Sequence, residues 1–227
     1  MRYLQCAVVA VVALLLAGAV QAQEAINALP RNQTLIAENP EGTIKNAGWF
    51  NIWAINAGGQ TTGLHQLAMD TFWYIDPERG IDGVWENSLA AEKPSYNADF
   101  TEMTVKLRRG IFWSDGVEFS ADDVLYTIQT HMQTNGLRWS APIQINVASV
   151  SAPDPTTIVF KLKKPNSRFH ALFTVRWNAM WMMPKHVFET AGDPTKFAFN
   201  PPVTLGAYTL HSYDPDGKWF IWAKRAD

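Results

Sequence analysis

The chain has 227 residues, 47% of them hydrophobic and 18% charged, with a formal net charge of -2. A charged fraction below the roughly 25% of ordinary globular domains, with an ordinary apolar fraction, excludes a disordered, collagen-like or coiled-coil chain. The near-neutral balance leaves no basic footprint for nucleic acid or an anionic membrane surface, and a single cysteine excludes an internal disulfide framework.

Arg2 is followed by an uncharged apolar run over residues 6–20, then by Val20-Gln21-Ala22, a small-x-small pattern. This predicts a Sec-type signal peptide over residues 1–22 and a periplasmic mature protein from Gln23 onward. The run is shorter than the ~20 residues of a membrane-spanning helix. Cys6 lies inside it rather than at the cleavage site, which argues against a lipid anchor.

Residues 33–37 read as a short strand, and Asn39-Pro40-Glu41-Gly42 as a turn. An aromatic-rich stretch over 49–55 leads into a polar loop over 57–62. Leu64, Leu67 and Ala68 have helical spacing, so a helix is expected over 62–69, capped by Thr61 or Thr62. A strand follows at 71–75. Met103, Val105 and Leu107 alternate with Thr104, Lys106 and Arg108 in a strand over 101–108. Ser120 opens the clearest helix: Asp122 and Asp123 suit its positive end, Val124, Leu125, Ile128, His131 and Met132 make one face, and Asn135-Gly136 stops it. Strands at 145–151 and 157–162 flank Pro153-Asp154-Pro155-Thr156 as a hairpin. Short helices are expected at 167–173 and, with Pro in its first turn, at 184–190. A second hairpin joins 208–213 to 219–222. The pattern is mixed α/β with much antiparallel pairing.

The motifs then converge on a known group. Leu89-Ala90-Ala91-Glu92, the strand ending Leu107-Arg108-Arg109-Gly110, the turn Phe112-Trp113-Ser114-Asp115-Gly116 and the helix start Ser120-Ala121-Asp122-Asp123-Val124 resemble, in order and spacing, the family 5 solute-binding proteins of ABC importers, the dipeptide/oligopeptide-binding group. Met183-Pro184-Lys185-His186-Val187 is similar to the family's Pro-Lys-His helix start. Asn200-Pro201-Pro202-Val203 with Gly206-Ala207-Tyr208 is similar to its Pro-Val-Gly-Thr-Gly-Pro-Tyr strand entry, except that Thr204 and Leu205 replace the usual Gly-Thr. The resemblance implies a type II periplasmic binding protein fold, with residues 23–227 forming part of its N-terminal lobe I, an antiparallel hairpin subdomain included. The family's second lobe is expected to be absent from this chain.

No residue pattern supports bond chemistry. His65, His131, His170, His186 and His211 show no metal-ligand spacing, and no cofactor, metal or catalytic residue is expected. Helix capping accounts for Asp122-Asp123 and turn formation for Asp214 with Asp216, rather than a glycosidase pair. The ten tryptophans are the compositional outlier, because indole faces stack on sugars and grip peptide side chains but also fill cores. Trp85, Trp113, Trp219 and Trp222 read as packing residues. By the resemblance, Trp53, Gly59, Thr61, Thr62, Trp177 and Trp181 fall on segments that approach the ligand cleft. Arg176 suits either a ligand carboxylate or an internal ion pair.

The function implied is a monomeric periplasmic receptor that captures an oligopeptide or oligosaccharide between lobes and delivers it to an inner-membrane ABC permease. Tryptophan density tilts the choice toward a sugar. The alternatives are an inert or interaction-only fragment of such a receptor and, more remotely, a secreted glycan hydrolase.

Overall fold

The computed structural model describes residues 30, 34–35, 44, 46–55, 59–74, 86–174 and 179–226. The leader and most of the 33–37 strand expectation lie outside these residues; Thr34 and Leu35 carry no regular structure.

A four-stranded antiparallel sheet in the order β3-β4-β6-β5 is the largest regular element. It comprises β3 (Ser95–Tyr96), β4 (Glu102–Lys106), β5 (Val147–Asp154) and β6 (Thr157–Leu162). The alternation read in β4 sets its register: Met103 pairs with Phe160 and Val105 with Ile158, and all four side chains are buried. The turn between β5 and β6 is fixed by Asp154, whose carboxylate accepts hydrogen bonds from the Thr156 amide (2.8 Å) and hydroxyl (2.9 Å).

Helix α1 (Leu64–Leu67) is shorter than the 62–69 expected, and a 3-10 turn, Gly59–Thr62, occupies part of the expected loop. Its N-cap is Gly63 at φ 81°, a left-handed conformation that glycine adopts without steric cost. Helix α2 (Ala121–Gln133) follows the sequence reading closely. Ser120 Oγ accepts the Asp122 amide, and the Asp123 carboxylate reaches back to the Ser120 amide at 3.0 Å. The α2 face made by Ala121, Val124, Thr127, Ile128 and His131 is buried.

The start of β5 differs from expectation. Helix α3 (Ser140–Asn146) takes in Ile145 and Asn146, and the strand begins at Val147. Alternating Ile143, Ile145 and Val147 imitate a strand, yet Ile143 is fully buried and Ile145 is 71% exposed. Pro142 stands in the first helical turn, where its missing N–H costs nothing. The expected 167–173 helix is a 3-10 turn, Phe169–Phe173. Helix α4 (Lys185–Phe188) is one turn, with Pro184 as its N-cap rather than within it.

Two small sheets complete the fold: β1 (Trp73–Tyr74) with β2 (Glu86–Asn87), and the hairpin of β7 (Tyr208–Asp214) with β8 (Trp219–Lys224). A lone two-stranded hairpin is marginal in water, so its stability comes from docking. Phe50 meets Tyr213, Phe220 and Trp222 edge-on at 5.4, 5.9 and 6.3 Å. Arg225 donates to the Thr204 and Phe112 carbonyls. The Gly206 amide donates to the Ala68 carbonyl at 2.8 Å. No helix among the described residues is long and apolar enough to cross a membrane.

Two outcomes follow from this packing. A Cβ on Gly206 would stand 2.7 Å from the Ala68 carbonyl carbon, which is backbone and cannot swing aside. Gly206→Ala should therefore cost about 1–3 kcal/mol in urea unfolding. His131 is fully buried; its Nδ1–H donates to the Thr127 carbonyl at 2.7 Å, and Nε2 has no hydrogen-bond partner. Burial pulls its pKa down to about 4. Between pH 6.5 and 4 the unfolded chain takes up a proton there that the folded chain refuses, so stability falls as pH drops, by about 3 kcal/mol in all. Melting temperatures across this window should fall less steeply for His131→Phe than for the parent.

Candidate functional site

The residues expected to approach a ligand separate into core and surface. Trp53 is fully buried: its Nε1–H donates to the Trp181 carbonyl at 2.9 Å, and its ring meets Phe188 and Phe199 at 5.1 and 5.5 Å. Trp181 is 4% exposed and packs edge-on against Trp139 at 5.5 Å. The structure thus brings Trp53 and Trp181 together in the core, where neither indole presents a face to solvent. Trp177 and Arg176 lie outside the described residues.

The Gly59–Thr62 turn leads directly into α1, which packs on this aromatic cluster. His65 of α1, three residues beyond Thr62, is buried and tilted against the Trp181 ring at 5.6 Å. Within the turn Thr61 is half-buried, whereas Thr62 is buried. The Thr62 carbonyl accepts the Trp222 indole N–H at 2.9 Å. Gly59, Thr61 and Thr62 therefore share one short turn that is tied to the β7–β8 hairpin.

Arg138, which the sequence reading passed over, lies against this cluster. Its amide donates to the Trp53 carbonyl at 2.7 Å and its Nε to the Ile52 carbonyl at 3.2 Å. The guanidinium carbon lies 5.7 Å from the centre of the Trp139 ring, within cation–π range. Partial burial lowers its pKa, but guanidinium stays protonated in proteins. The available signal was a cation between Leu137 and Trp139, both 2% exposed.

Elsewhere, polar chemistry is structural. Asp123 accepts the Lys185 amide at 2.9 Å as well as the Ser120 amide. Burial raises its pKa against those bonds and against the nearby Trp113 indole, which makes no hydrogen bond of normal geometry. His186 Nε2 meets Asp115 Oδ2 at 2.7 Å and ties α4 to the 114–116 turn. Among the described residues no group of three or more His, Cys, Asp or Glu side chains is placed to hold a metal ion.

Comparison with known proteins agrees with this architecture. Residues 85–227 match the family described as bacterial extracellular solute-binding proteins, family 5 Middle. The glutathione-binding protein GsiB of Escherichia coli K12 is 29% identical over 127 residues, covering 56% of this chain and 24% of that protein. The periplasmic oligopeptide-binding protein of a Thermotoga maritima ABC transporter superposes with a TM-score of 0.62 at 25% identity, over 74% of this chain and 30% of that one. A dipeptide-binding protein from Pseudoalteromonas sp. SM9913, in complex with Met-Leu, shares the fold with a TM-score of 0.63 at 18% identity, over 81% of this chain and 39% of that one. The chain spans about a quarter of the length of the curated relatives it matches. These relatives are binding proteins of type II periplasmic architecture, and the match over more than half of its length establishes that this chain belongs to the family 5 bacterial extracellular solute-binding proteins.

Proposed function

We propose that the chain supplies the lobe I surface of a periplasmic receptor that captures a short peptide or peptide-like solute and delivers it to an ABC permease in the inner membrane. The observation that carries this reading is the family match over residues 85–227. It is supported by relatives named for glutathione, oligopeptide and dipeptide binding. Capture needs no bond chemistry: closure of two lobes desolvates the solute, and polar groups fix its orientation.

Within that reading the Gly59–Thr62 turn meets the solute, with the Thr61 hydroxyl and the turn's backbone as polar contacts. Trp53 and Trp181 act beneath it as a rigid support. Arg138, beside the same wall, favours a solute carrying a carboxylate.

An oligosaccharide is the second reading, because the Thermotoga oligopeptide-binding protein has also been seen with mannohexaose bound, at 26% identity to this chain. Tryptophan density no longer favours it. Trp53, Trp73, Trp113, Trp139 and Trp181 are all at most 4% exposed, which core packing explains.

Calorimetric titration of the native protein with glutathione, Met-Leu and mannohexaose tests the choice. Binding of a peptide and not of mannohexaose is expected; binding of mannohexaose alone would reverse it. Thr61→Val, which keeps shape and removes the hydroxyl, should weaken peptide affinity up to about tenfold. Trp53→Ala should instead destabilise the fold by about 3–5 kcal/mol in chemical denaturation. A Trp53→Ala protein with normal stability and lost affinity would return this indole to the solute surface.

A further inference from the structure

Helix α1 is flanked by two contacts, one from the β7–β8 hairpin and one from the segment that leads into it. At one end Trp222, on β8, donates its indole N–H to the Thr62 carbonyl at 2.9 Å. At the other the Gly206 amide, two residues before β7, donates to the Ala68 carbonyl at 2.8 Å. Both contacts are close. A Cβ on Gly63 would stand 3.1 Å from the Trp222 indole nitrogen, and one on Gly206 would run into the Ala68 backbone at 2.7 Å. Gly63 holds φ 81° while lying under the indole.

The hairpin has no strand neighbours among the described residues and is organised by Phe50, Tyr213 and Phe220. Trp222 belongs to that aromatic set through Phe50 at 6.3 Å, but it alone of these residues also bonds the turn. Leu64 N reaches Thr62 Oγ1 at 3.4 Å, and the Leu67 and Ala68 amides donate to the Gly63 and Leu64 carbonyls. A segment so short has little helical stability of its own.

We propose that Trp222 is a positioning residue for the solute site. Its indole N–H holds the Thr62 carbonyl and so fixes the Gly59–Thr62 turn in place. The consequence for binding rests on the reading that this turn meets the solute. The mechanical part does not.

The test uses Trp222→Phe, which keeps an aromatic ring against Phe50 and removes the N–H. Phe220→Leu is the control, removing a ring from the same aromatic set while leaving the Trp222 N–H on the Thr62 carbonyl. In the native protein without solute, amide hydrogen exchange over residues 59–68 should speed up in Trp222→Phe and stay unchanged in Phe220→Leu. Exchange in β4 and β6 should be unaffected in both. Unchanged protection of 59–68 in Trp222→Phe overturns the proposal, and so does equal loosening by Phe220→Leu. For whichever of glutathione and Met-Leu binds the parent, Trp222→Phe should weaken affinity about three- to tenfold, while Phe220→Leu leaves affinity in place. Faster exchange with unchanged affinity, alongside a Thr61→Val protein that does lose affinity, overturns the positioning role. If Thr61→Val leaves affinity intact, the solute assignment of the turn fails by itself, and the exchange result still decides whether Trp222 locks it.

Discussion

The Asn51 side chain makes four hydrogen bonds inside the protein, and much of the fold depends on arrangements of that kind. Its Nδ2 donates to the carbonyls of Pro194 and Phe197, both at 2.8 Å. Its Oδ1 accepts the amides of Trp53 and Ala54 at 3.1 Å. An amide group has four such capacities, and here each is used, in a residue with no exposed surface. The reason lies in the chain's economy of regular structure. Residues 46–55 and 179–184 include no helix and no named strand, yet they pass through the core. Their peptide groups cannot remain unpaired there, because an unsatisfied buried group costs free energy comparable to a lost hydrogen bond.

Helix α2 performs the same service for the segment before α4. Thr127 Oγ1 donates to the Asp123 carbonyl and accepts the Met183 amide at 2.8 Å. Asp123 accepts the Lys185 amide with one oxygen and the Ser120 amide with the other. One face of α2 is therefore both hydrophobic, through Val124 and Ile128, and a ladder of polar anchors one turn apart. A capping aspartate that also captures a second chain segment is buried by that role, and its raised pKa is the cost of burial, partly offset by the bonds it accepts.

These arrangements explain what could be read from the sequence. The β4, β5 and β6 strands and the α2 helix were legible because their hydrogen bonds are local or between regular strands, so that burial follows period 2 or 3.6. The capping box at Ser120 and the Asp154 turn are local signals of the same sort. Trp53 was not legible. Its burial depends on Trp181, 128 residues away, and on Phe188 and Phe199, none of which any local period announces. The boundary at Asn146 failed for a related reason: alternation over three apolar residues fits a strand and a helix end equally well. Thr61 and Thr62 were read as part of one polar loop, but the bond from the Thr62 carbonyl to Trp222, 160 residues on, has no local signal.

The tryptophan content takes on a different meaning in this light. Three indole N–H groups donate to main-chain carbonyls of irregular segments or segment ends: Trp53 to Trp181, Trp73 to Glu92 at 2.7 Å, and Trp222 to Thr62. Indole combines a large apolar body with a single donor at its edge. It can therefore fill a core position and satisfy a stray carbonyl with the same side chain, which leucine or phenylalanine cannot do. A chain that threads irregular backbone through its interior has many such carbonyls. The richness in tryptophan is then a property of how this fold is held together rather than a sign of solute chemistry.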